Sequence, residues 1–192
     1  VKLTTSQVQA LTTAQVNAIS VDTQFAALTS TQLNAMTSAQ VAKLTTAQVV
    51  AMTTLQAANL GTTQAAALTT AAIAAMDVAD VTAMNTAAVA AMSTDQIRAL
   101  TTTEDGQIVG LTTAQVAGLK TAQVAALSTA QVAVMQTADL VKLDTAQIRA
   151  LTTAQIRALT TDVQVPALLS TQINAMTSTQ VAALSNDQAT AL

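Results

Sequence analysis

Every eight residues the chain places a large aliphatic side chain, usually after an alanine, and no regular secondary structure carries that spacing unbroken. These anchors run from Leu3, Leu11 and Ile19 through Met36, Leu68, Leu100, Leu127 and Leu159 to Leu192. Twenty of the 23 steps between them are eight residues long, two are nine (Ile19 to Leu28, Leu159 to Leu168) and one is eleven (Leu100 to Leu111). The consensus octad is L-T-T-A-Q-V-A-A. In a strand, the anchor and the Val five residues later would face opposite sides of a sheet. In a continuous helix, eight residues overshoot two turns by about 80°, so the anchors would spiral instead of forming a stripe. Seven- and eleven-residue repeats avoid that drift; eight does not.

A helix that stops and restarts in every octad resolves the conflict. In Leu11-Thr12-Thr13-Ala14-Gln15-Val16, Thr12 and Gln15 have capping-box spacing, while Leu11 and Val16 have the spacing of a hydrophobic staple. Thr45 with Gln48 and Thr152 with Gln155 repeat the pattern. Where the cap threonine is absent, the chain mostly offers Ser20, Ser93, Ser128, Ser185, Asp77, Asp144, Asn85 or Gly61. Those residues share capping ability, not shape. Lys120, Gln136 and Leu169 break the rule.

Each octad therefore predicts a helix of about six residues, roughly 9 Å long. Isolated helices below about 12 residues are marginal, so packing must hold these. The anchor and the Val/Ile position (Val8, Val16, Phe25, Leu33, Val41) should point inward. The alanine before most anchors (Ala10, Ala18, Ala27, Ala35) suggests close helix approach, and the variable residue before it (Gln9, Asn17, Asn34, Arg98) should face water. One octad buries two sizeable side chains, worth about 3–6 kcal/mol, against an ordering cost of about 1.5 kcal/mol per residue. A lone unit loses, so neighbours must stack. The expectation is an all-α solenoid with two or three helices per superhelical turn. It fills residues 1–192 as one continuous array of about 24 octads, without separate domains, irregular at 19–28, 100–111 and 159–169.

Composition narrows the function. The chain has no His, Cys, Trp or Tyr, and Phe25 is its one aromatic residue. Imidazole bases, thiolate nucleophiles, disulfides and Cys/His metal sites are absent. A net charge of −3 argues against nucleic-acid binding. Hydrophobic residues make up 51% of the chain, yet Thr, Ser or Gln interrupts every apolar run. No stretch approaches the roughly 20 apolar residues of a spanning helix, so membrane insertion is not expected.

Candidate sites all yield to structural readings. Glu104 and Asp105 precede Gly106 in the eleven-residue step, without the alternating oxygen ligands of a calcium loop. A surface bulge is the better account. All seven methionines hold anchor positions and read as core. Arg98, Arg149 and Arg157 read as solvated positions that form a small basic patch only if the coil aligns them. Ice binding by threonine ranks conflicts with the Asp, Asn, Gly and Ser replacements. The second threonine of each pair (Thr5, Thr13, Thr46, Thr113, Thr153) is expected on the surface, as a hydration face or an acceptor for O-glycans. No nucleophile–base pair or phosphate-cradling glycine run appears, so no catalytic, metal or cofactor residue is assigned.

Leu44-Thr45-Thr46-Ala47-Gln48-Val49-Val50-Ala51-Met52 resembles the opening of the TAL-effector repeat. That likeness supports a helix start and not DNA binding, since the base-reading loop, second helix and basic charge are missing. Over its whole length the chain resembles the low-complexity LTTAQV arrays of very large bacterial secreted or cell-surface proteins, often labelled adhesins. The resemblance implies a structural, extracellular role: a filament subunit or adhesin stalk that self-associates or continues a longer array. The alternative is a scaffold presenting Thr/Gln-rich faces to carbohydrate, ice or a partner protein. Val1-Lys2-Leu3 reads as the tail of an octad, like Val141-Lys142-Leu143, so a window on a longer or polymerising array is expected.

Overall fold

A computed structural model describes residues 2–192. Among these the chain forms twenty-one α-helices and one π-helix, each of four to six residues, and no strand. The fold is an all-helical solenoid of octads. Its contacts divide into two compact units, Val1–Ala99 and Leu100–Leu192, each built in the same way.

Side-chain capping defines most helix starts, although Ser20 and Asp77 occupy the N-cap position without a side-chain cap hydrogen bond, and Gly61 has no side chain to supply one. Thr152 has extended backbone (φ −73°, ψ 159°) before helix Thr153–Ala158. The Gln155 N–H donates to Thr152 Oγ1 (3.2 Å), and the Thr152 N–H donates to Gln155 Oε1 (2.6 Å). Thr4, Thr37, Thr112, Ser128, Asp144 and Ser185 build the same box. Extended backbone at Leu159 (φ −61°, ψ 131°) ends the helix. Two of the three rule-breakers, Lys120 and Leu169, keep the half of the box that needs only backbone. Their N–H groups donate to Gln123 Oε1 (2.8 Å) and Gln172 Oε1 (3.0 Å).

Thr152→Ala removes the acceptor for the Gln155 N–H and should cost about 1 kcal/mol. Thr153, exposed one residue later, should tolerate alanine within about 0.5 kcal/mol. Equal losses in urea denaturation would refute the assignment of the cap to the first threonine.

Three octads make one turn. Within each unit, helices pack on the third element along: Thr129–Val134 on Thr153–Ala158, Thr121–Ala126 on Thr145–Ala150, and Thr62–Ala67 on Thr86–Ala91. Burial agrees with that count. The anchors from Leu28 to Leu168 are buried. Leu3, Leu11 and Ile19, and likewise Met176, Leu184 and Leu192, are only partly covered or exposed. One turn's worth of anchors at each side lacks a covering neighbour. The Val/Ile position lies fully inside, as at Val16, Phe25, Val49, Ile97, Val124 and Ile156. Arg98, Arg149, Arg157 and the second threonines Thr5, Thr13, Thr46, Thr113 and Thr153 are exposed.

The three long steps share one rule: each extra residue lies between the cap and the glutamine. In the first, the segment Val21–Phe25 becomes a π-helix. There the Phe25 N–H donates to the Ser20 carbonyl (2.9 Å), while the Ser20 N–H still reaches Gln24 Oε1 (3.2 Å). At 159–168 the Val165 N–H likewise donates to the Thr160 carbonyl (3.0 Å), and Thr160 and Gln164 close a widened box (2.9 and 3.1 Å). In the eleven-residue step, Thr101 and Gln107 close the box across six residues (3.1 and 3.0 Å). The surplus bulges out, leaving Thr103, Glu104 and Asp105 exposed. Gly106 tucks the bulge back: a Cβ there would lie 2.7 Å from the Thr101 carbonyl oxygen and 2.7 Å from the Thr103 nitrogen. From glutamine to the next anchor the spacing stays at four residues in all three cases.

Candidate functional site

The glutamine of the octad does more than complete a cap. From Gln32 to Gln188 it is buried wherever it occurs at this position, with Gln48, Gln115, Gln131 and Gln155 each 1% exposed. A buried primary amide must satisfy two donors as well as its oxygen. The Oε1 atom accepts from the cap N–H of its own helix. The Nε2 atom reaches one turn back, to carbonyls at the joint just before the helix on which its own helix stacks.

Gln155 shows the geometry: Nε2 donates to the Leu127 carbonyl (2.7 Å) and the Val124 carbonyl (2.9 Å). Gln40 takes Leu11 (2.7 Å) and Val8 (2.9 Å), and Gln96 takes Leu68 (2.6 Å) and Ala65 (2.9 Å). Gln180 takes Leu151 and Ile148, both at 2.7 Å. The acceptors are the carbonyls of an anchor and of the Val/Ile residue three before it. Those helix-end carbonyls lack an intrahelical partner or have one in a tight last turn. A single side chain thus closes the N-terminus of one helix and a helix C-terminus of the turn behind it.

Secondary ties reinforce the joint. Gln136, the third rule-breaker at the cap position, donates from Nε2 to the Val109 carbonyl (2.9 Å). Asn85 both caps its own helix (2.8 Å to the Ala88 N–H) and donates to the Leu60 carbonyl (2.8 Å). Arg149 and Arg157, expected as simple solvated cations, reach forward instead. Their Nε atoms donate to the Ala175 and Ala183 carbonyls, each at 3.0 Å. The carbonyl of the residue before an anchor is therefore within reach of the neighbouring turn, as the recurrent alanine suggested.

Four octads lack the glutamine. Ala72 and Ala88 fill its place and are buried, and so do Asp80 and Asp139, each 2% exposed. Burial pushes both carboxyls above the ordinary carboxylate range. For Asp80 a hydrogen bond from Thr54 opposes that shift and the nearby Asp77 charge adds to it.

The other sequence candidates do not converge on a reactive centre. Glu104 and Asp105 lie on the exposed bulge, and among the described residues no group of three or more acidic side chains could hold a metal. Six methionines, Met36 to Met135, are buried anchors, and Met176 is half-buried. A cavity of about 440 Å³ lies against the first turn, lined by Leu3, Leu11, Ile19, Leu28, Gln15 and Gln24. It is the open side of the core there. No described helix is long and apolar enough to cross a membrane.

The ALTTAQ repeat matches at residues 73–106, 104–136 and 132–169, a continuous half of the chain. The chain belongs to the ALTTAQ repeat family. Its name-giving motif spells the joint: Leu as anchor, Thr as cap, Gln as the link to the turn behind. No curated protein and no solved structure matches the chain. The missed signal lay in the motif's last letter. A capping box accepts Glu as readily as Gln, yet this position holds 19 Gln and no Glu. Such exclusivity points to a need for N–H donors.

Proposed function

We propose that this ALTTAQ array is a structural protein: a stalk segment or filament subunit whose task is to span distance outside the cell. One observation carries the reading. The link between turns uses backbone carbonyls that every octad offers, so any turn is a template for the next. The recognition surface is main chain, and it is consumed inside the coil. A heterologous stack of this kind does not close on itself. The likeness to arrays of bacterial secreted and cell-surface proteins supports the extracellular placement. The exposed second threonines suit such a surface as hydration sites or O-glycan acceptors. A scaffold presenting Thr/Gln-rich faces would have to rely mainly on threonine, because the octad glutamines from Gln32 to Gln188 lie within.

Electron microscopy of a lengthened chain tests the spacer role. Duplicating residues 112–159, six octads, should lengthen the particles at constant width. Broader particles, or globular ones of unchanged length, would overturn the proposal.

A further inference from the structure

Asp80 occupies the place of a linking glutamine and leaves one atom unanswered. Its Oδ2 is the one buried side-chain polar atom among the described residues without a hydrogen-bond partner. The side chain is 2% exposed. An unpaired acceptor in such a place is costly, and an ionised one more so. The register of the neighbouring links puts the Met52 and Val49 carbonyls, 28 and 31 residues earlier, at the joint that Asp80 faces. Carbonyls only accept, so an ionised carboxylate has nothing to offer them. A carboxylic acid does, because its O–H donates. Aspartate is one methylene shorter than glutamine. The helix beneath, Thr54–Ala58, carries Ala57 where most octads carry Val or Ile, and Ala57 is fully buried in the contact.

The charged surroundings are sparse. Helix Thr54–Ala58 and helix Thr46–Val50, which supplies the Val49 carbonyl, contain no charged residue. The flanking helices Thr70–Ala75 and Thr86–Ala91 contain none either. Asp77, at the N-cap of the same helix, is the nearby charge, and its sign disfavours a second carboxylate. The Thr54 hydroxyl beside the Asp80 side chain favours the charged form, but burial outweighs it.

We propose that Asp80 is an acid-strengthened link: as a neutral carboxyl it donates to the carbonyls of the preceding turn, as glutamine does elsewhere, and ionisation opens that link. The sign follows from linkage. A carboxyl whose pKa is raised by folding binds more protons in the folded than in the unfolded chain. Its contribution is complete below the unfolded carboxyl pKa and is lost as pH rises through the folded one. The coil around Asp80 should therefore tighten on acidification, opposite to the usual behaviour of a paired aspartate.

Melting temperatures of the full chain and of Asp80→Gln, measured from pH 4 to pH 8 at fixed ionic strength, test this. Asp139 remains in both chains, so its titration cancels in the difference. At pH 8 the Gln variant should melt higher by about 2–4 °C, and the gap should shrink toward zero at pH 4. A gap that does not vary with pH would overturn the proposal. Should Asp80→Gln fail to fold, ¹³C NMR of the native chain decides: the Asp80 carboxyl should titrate above an aspartate of the unfolded chain. A midpoint at or below that of an unfolded-chain aspartate would overturn it equally.

Discussion

Gln155→Glu should destabilise the second unit by about 3 kcal/mol at neutral pH, although glutamate is a standard capping-box residue. The substitution keeps the Oε1-type acceptor that receives the Thr152 N–H. It replaces the Nε2 donor to Val124 and Leu127 by a carboxylate oxygen facing two carbonyls at 1% exposure. Burying an unpaired charge against acceptors costs far more than the lost hydrogen bond itself. The exposed Gln7 is the internal control. Its Oε1 accepts from the Thr4 N–H (2.8 Å) with the side chain open to solvent, so Gln7→Glu should change stability by less than about 0.5 kcal/mol. Calorimetry of both variants separates cap from link. Equal, small effects would mean that the glutamine only caps.

The second large effect concerns where the octad tolerates extra length. One alanine inserted between Thr152 and Thr153 should cost about 1 kcal/mol. Ser20–Gln24 and Thr160–Gln164 already absorb an added residue there as a π-type turn. The same alanine between Arg157 and Ala158 separates Gln155 from Leu159, a spacing constant throughout the chain. It moves Leu159, 3% exposed, off the core and shifts the following joint. Loss of a buried leucine's packing alone is worth about 3–5 kcal/mol. Urea midpoints that fall equally for the two insertions would contradict the rule.

Much of this was legible in the sequence because the octad repeats its evidence. Helix starts followed from substitutions at the cap: Ser128, Asp144 and Asn85 preserve an oxygen and little else, and each accepts the expected N–H. Inward positions followed from the phase argument, and Val16, Phe25 and Ile156 are buried as it required. Turn size was not legible. The three octads of a turn are chemically alike, so no 24-residue super-period marks them, and only packing distinguishes two helices from three. The long reach of glutamine was hidden for a related reason. A partner 28 or 31 residues away that is a backbone carbonyl leaves no side-chain signature at its own position. The ties made by Arg149 and Arg157 were hidden in the same way, since their acceptors are the main chain of Ala175 and Ala183.

Because each link ends on main chain, its partner is chosen by position in the coil and not by identity. Insert one complete octad anywhere, and every glutamine within the next turn meets a carbonyl pair it did not meet before. Each finds an anchor and a Val/Ile carbonyl all the same. The array therefore has a length quantum of eight residues, although its turn contains three octads. A gene encoding it can gain or lose single repeats by slippage without passing through a misfolded intermediate length.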